Sequence, residues 1–116
     1  MTAELELLVL PATIRCDHGG KVKNQASQRW VTVAGDPVLR EDDPQSRDID
    51  WCPNRGANIK YCGKTLKVEV GYSEFVRIGG RPVVLANLAG KTNGTPPQSV
   101  HYRVWDPGQR FVRVGS

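Results

Sequence analysis

Apolar and polar residues alternate in short runs along this chain, and Gly or Pro ends almost every run. Leu5, Leu7 and Val9 alternate with Glu4, Glu6 and Leu8 until Pro11 stops them. Trp30, Val31, Thr32 and Val33 lead into Gly35 and Pro37, and Lys67, Val68, Glu69 and Val70 lead into Gly71. Phe75, Val76, Arg77 and Ile78 precede Gly79 and Gly80, with Pro82, Val83, Val84 and Leu85 beyond; residues 100–105 and 111–114 flank the turn former Asp106, Pro107, Gly108. A period of two sends successive side chains to opposite faces of a strand, and Gly and Pro are poor in strand interiors. The pattern therefore dictates short β-strands joined by tight turns. No long window carries an apolar stripe at the helical period. One short helical turn is expected within residues 54–61, and the polar residues 42–55 read as a surface loop. With 116 residues, 39% hydrophobic and 24% charged, the chain suits one small all-β domain over residues 1–116. A core of that size benefits from an added staple.

The chain also repeats itself. Val31, Val33, Gly35, Pro37 and Val38 recur as Val76, Ile78, Gly80, Pro82 and Val83, each displaced by the same 45 residues. Each copy reads as strand, Gly-x-Pro corner, strand: two apolar positions on one face, a Gly free to take positive φ, then a Pro without an amide donor. Val112, Val114 and Gly115 resemble a truncated third copy.

Three cysteines cannot all be used in disulfides within one chain. No basic, apolar and small-residue succession of a secretory leader opens the sequence, and the longest apolar runs, 7–12 and 82–86, are too short to span a bilayer. A reducing compartment is thus expected, where disulfides seldom persist and a metal is the better account of the thiols. Cys16 and His18 stand one residue apart before Gly19 and Gly20; Cys52 and Cys62 each sit beside turn formers. Cys16, His18, Cys52 and Cys62 make a Cys₃His set that suits tetrahedral Zn²⁺ with no open position, a structural rather than catalytic site. His101 is the other imidazole and the alternative fourth ligand. The bland reading of the thiols is three buried, small apolar side chains.

Catalytic patterns are missing: no GxSxG, P-loop, HExxH or GxGxxG occurs. Asp42, Asp43, Asp48 and Asp50 lie in polar sequence that reads as solvated turns, and a nucleophilic Cys16 and His18 pair would lack any sign of an oxyanion site. The expectation is a protein that is not an enzyme. The net charge of +4 invites a nucleic-acid reading, in which Arg55, Lys60, Lys64 and Lys67 contact phosphates and Tyr61 stacks a base. Against it, residues 36–50 carry six acids and two arginines, which would repel a polyanion, so no nucleic-acid partner is expected.

Cys and His ligands upstream of a Val-x-Val-x-Gly-x-Pro corner, followed by a second Gly-x-Pro-Val copy, resemble the PAAR-repeat and PAAR-like tip proteins of contractile injection machines. These include type VI secretion systems, phage baseplates and extracellular injection particles. Pro37, Val38, Leu39 and Arg40 stand where that family carries its Pro-Ala-Ala-Arg signature, and Arg81, Pro82, Val83 and Val84 fall at the repeat. The resemblance covers residues 12–95. It implies a cone of short strands with zinc near its point and a base that caps a trimeric β-helical spike. The two copies, with a possible third, would let one chain approximate the threefold symmetry beneath it. It further implies possible effector cargo, transient contact with a target membrane, and assembly in the cytoplasm before delivery outside the cell or into the target.

Overall fold

A computed structural model describes residues 4–54, 56–95 and 99–115. Its first strands are short: β1 (Glu4–Glu6), β2 (Thr13–Cys16), β3 (Lys21–Val22), β4 (Thr32–Val33), β5 (Asp36–Pro37) and β6 (Ile49–Asp50). Two long strands follow, β7 (Thr65–Ile78) and β8 (Arg81–Thr92), then β9 (His101–Asp106) and β10 (Arg113–Gly115). The protein is all-β; among the described residues there is no helix, hence none long and apolar enough to cross a membrane. A six-stranded sheet runs β6-β3-β2-β9-β8-β7, and β1-β10 and β4-β5 form two-stranded ladders beside it. The principal extents are 44 × 30 × 23 Å.

Three local expectations are corrected. The separate strands expected at 67–70 and 75–78 are one strand, β7, whose register against β8 shifts at several points, so that bulges absorb the breaks. Residues 54–61 hold no helical turn: Gly56 and Ile59 form an isolated bridge, and Asn58 at φ 61° lies outside the right-handed helical region. Arg55 lies outside the described residues. Within the expected loop 42–55, Asp43 is buried and accepts from the Ser27 and Arg40 amides at 3.1 and 2.9 Å, while β6 pairs with β3.

Both repeat copies are the same object, a hairpin closed by two residues of positive φ. Ala34 (51°) and Gly35 (88°) join β4 to β5, and Gly79 (60°) and Gly80 (83°) join β7 to β8. This is the turn whose twist matches that of antiparallel strands. The registers Thr32↔Pro37 and Val33↔Asp36 recur as Arg77↔Pro82 and Ile78↔Arg81, displaced by the sequence period.

A third copy exists, split between the two ends of the sequence. In β1-β10, Glu6 pairs with Arg113 and Leu5 with Val114, which matches 6 to 37 and 82, and 113 to 32 and 77. The three segments leaving these ladders, 7–9, 38–40 and 83–85, close on one another as a triangle. Leu7 bridges Leu85, Val38 bridges Val9, and Val83 bridges Arg40. At its centre the amide of Leu8 donates to Val84 O at 2.9 Å, that of Val84 to Leu39 O at 3.1 Å, and that of Leu39 to Leu8 O at 2.9 Å. Each segment thus donates to one neighbour and accepts from the other, a cyclic order with pseudo-threefold symmetry.

Alternation along these segments divides the core in two. Leu8, Leu39 and Val84 face a cluster with Ile14, Val22, Leu88 and Tyr102. Leu7, Val9, Val38, Val83 and Leu85 pack on the other side of the triangle with Ile78. Arg40 ties two copies together: Nη1 donates to Ile78 O at 3.1 Å and Nε to Ser27 Oγ at 2.8 Å.

Candidate metal centre

Cys16 closes β2 and begins a tight turn that reverses into β3. The Gly19 amide donates to Cys16 O at 2.8 Å and the Cys16 amide to Gly20 O at 2.9 Å, and Gly19 takes φ 96°. His18 rides on this turn. Gly20 has to be bare, because a Cβ there would lie 3.0 Å from the Cα and Cβ of Cys52. Cys52 follows β6 and Cys62 precedes β7, so the loop between them folds back to bring both thiols to the β2-β3 turn.

The predicted ligands converge. One ligand atom from each of Cys16, His18, Cys52 and Cys62 lies within 4.8 Å of all the others, and the three cysteines are buried and form no disulfide. Cys16 Sγ is 3.8 Å from Cys52 Sγ, and Cys62 Sγ is 3.6 Å from His18 Nδ1. A tetrahedral ion with bonds of about 2.3 Å to sulfur and about 2.05 Å to nitrogen has S···S edges near 3.8 Å and S···N edges near 3.6 Å. The donor set therefore fits a four-coordinate metal without rearrangement of these two edges.

The surroundings suit thiolates. The Gly20 amide donates to Cys16 Sγ at 3.1 Å, the Cys62 amide to Cys52 Sγ at 3.2 Å, and Thr92 Oγ1 to Cys62 Sγ at 3.3 Å. Such outer hydrogen bonds orient ligands and spread their charge. Burial pushes the Cys62 thiol up to about 12, only partly offset by the Thr92 hydroxyl. Burial acts the same way on Cys52, but the amides of Asn54 and Cys62 together with the neighbouring Cys62 and Cys16 thiols outweigh it and leave that thiol below its ordinary value. A divalent cation would offset the charge of three thiolates held this close together, while these donors keep their bonds to sulfur.

Two supporting residues carry no motif and were missed in the sequence. Asn93 Oδ1 accepts from the Gly63 and Lys64 amides at 2.8 and 3.0 Å, fixing the chain just after Cys62. A Cβ at Gly94 would lie 2.7 Å from Cys62 Sγ. His101 is not a ligand of this cluster: its ring faces Glu69 at 3.3 Å and Asp17 at 4.0 Å, and it sits in β9 against Lys91. Of the cations weighed for nucleic acid, Lys64 pairs with Asp48 at 2.9 Å, and Lys60 and Lys67 are exposed. Comparison with protein-family models, with curated proteins and with solved structures finds no match to this chain.

Proposed function

We propose that this chain is a PAAR-like spike tip, a zinc-stapled cap for the blunt end of a trimeric β-helical spike in a contractile injection machine. One observation carries the reading: a single chain builds a cyclic triangle from residues 7–9, 38–40 and 83–85, with one hydrogen bond per side at its centre. A cap that meets three identical subunits gains from threefold order, because each of its copies then faces the same surface. Three strand edges are also what the unpaired end of a three-stranded β-helix lacks.

Zinc is the ion this reading assigns to the Cys₃His set, since three thiolates and an imidazole in a closed tetrahedron are its usual structural ligands. It would supply rigidity rather than chemistry, joining residues 16 and 18 to 52 and 62 so that the loops do not splay under load. The function is tested by co-purification of the chain with a panel of trimeric β-helical spike proteins, with the expected stoichiometry of one chain per trimer. Failure to retain any of them, or a stoichiometry of three chains per trimer, overturns it.

A further inference from the structure

The three copies share more than backbone. In each, a buried polar side chain braces the residues just before the first ladder pair of the copy: Gln28, Ser73 and Gln109 occupy equivalent positions. The Val31 amide donates to Gln28 Oε1 at 2.9 Å, the Val76 amide to Ser73 Oγ at 3.1 Å, and the Val112 amide to Gln109 Oε1 at 2.8 Å. Two residues after the brace each copy places one large aromatic residue: Trp30, Phe75 and Phe111. All three point into solvent, at 66%, 66% and 80% exposure. They are three of the chain's five Trp and Phe residues.

Exposed aromatics scattered singly need no explanation, but three at equivalent positions in three copies do. The flanking positions carry a net positive charge. Arg29, Glu74 and Arg110 precede the aromatics and Thr32, Arg77 and Arg113 follow them by two, all exposed, so four arginines stand against one glutamate. Among the described residues no carboxylate pairs with Arg29 or Arg110. Trp30 is held in place rather than loose: the Arg40 guanidinium stacks over its ring at 5.1 Å, and a Cβ on Gly79 of the next copy's turn would lie 3.4 Å from it.

We propose that Trp30, Phe75 and Phe111 are three equivalent anchors by which one chain docks on the threefold end of a homotrimeric protein. Each subunit of that trimer presents an apolar recess bordered by carboxylates. The inference rests on the reading of the chain as a cap on a trimer and adds which residues make the contact. Aromatic side chains in such recesses dominate interface energetics, and Trp30, already held in position, loses little entropy on docking. The arginine excess selects an acidic border. A lipid surface is the weaker alternative, because a fluid bilayer has no rotational order and selects no threefold arrangement.

The test uses the full chain and whichever trimeric β-helical spike it retains from the panel above. Trp30→Ala, Phe75→Ala and Phe111→Ala are each expected to weaken binding about tenfold or more, by similar factors, and the triple variant to lose it. Trp105→Ala, equally exposed at 64% but outside the repeat, should bind as the parent does. All variants should keep the parent's melting temperature and metal content. If the parent retains no spike, the functional reading itself falls. If the parent binds and the triple variant binds equally well, or only one aromatic matters, the anchors are wrong while the function stands. Loss of binding to phosphatidylcholine/phosphatidylglycerol vesicles in the triple variant, with spike binding intact, would reassign the aromatics to a membrane.

Discussion

Cys52 and Cys62 are buried beside donors that only a thiolate or a metal-bound sulfur can use fully. Cys52→Ser or Cys62→Ser should therefore lower the melting temperature by about 10 °C or more, whereas Lys60→Ala, at an exposed loop position, should change it by a degree or two. Equal effects by differential scanning calorimetry would make the cysteines ordinary core residues. Gly94→Ala tests the same centre from outside, since its methyl would press on Cys62 Sγ and should reduce metal content measured by elemental analysis. A second pair of residues sets an alkaline limit. Burial raises Tyr102 well above its ordinary value, and burial likewise raises Tyr72 against the hydrogen bond it accepts from the Asp42 amide. Both are neutral in the folded chain where the unfolded chain would ionise, so stability holds below about pH 10 and declines as pH rises beyond it. In urea titrations at pH 9, 10 and 11, a Tyr72→Phe variant should lose less stability across that window than the parent does.

At the scale of elements, the hairpin turns and the bulged strand make different demands on glycine. Gly80 takes φ 83° with open space around its absent side chain, so Gly80→Ala should cost about 1 kcal/mol, the strain of a left-handed backbone alone. Gly71 in β7 takes φ 125°, and a Cβ there would run into the Cα of Leu88 on β8, so Gly71→Ala should cost clearly more. In the turn β4-β5, Ala34 already bears that strain at φ 51°, and Ala34→Gly should leave stability unchanged or raise it slightly. Chemical denaturation of the three variants ranks them; the order Gly71, Gly80, Ala34 in decreasing cost is the expected result.

The whole molecule depends on two distant closures. One is the triangle, whose third side exists only because β1 meets β10 across nearly the full length of the sequence. Removing residues 113–116 should uncover Leu5 and Leu7 and destabilise the protein cooperatively, rather than fray one end. Overlapping thermal transitions by near- and far-ultraviolet dichroism would show this. The other closure is the Cys/His cluster, which brings the β2-β3 turn against the loop between β6 and β7 and could hold a metal ion. Because thiolates and neutral imidazole bind a metal in competition with protons, the melting temperature should fall on acidification below about pH 6 and on addition of a chelator. A chain indifferent to both would hold no metal.

Much of this was legible from residues alone. Alternation between Gly and Pro breaks announced an all-β chain, because only a strand has a side-chain period of two. The equal displacement of five positions announced two like hairpins, and the Cys₃His set announced a cluster able to hold a metal ion, because ligand chemistry is carried by residue type. What lay beyond reach depends on which distant segments meet. His18 rather than His101 joins the cysteines because β9 turns the latter toward Glu69 and Asp17. Continuity of β7 through Gly71 was hidden because a bulge, like a turn, calls for glycine, and only the partner strand distinguishes them. The third copy was nearly invisible, since its halves lie at opposite ends of the sequence and no hairpin turn joins them. Local pattern specifies each ladder's residues, but the hydrogen bonds among Leu8, Leu39 and Val84 form only when three segments, each lacking a partner, close on one another.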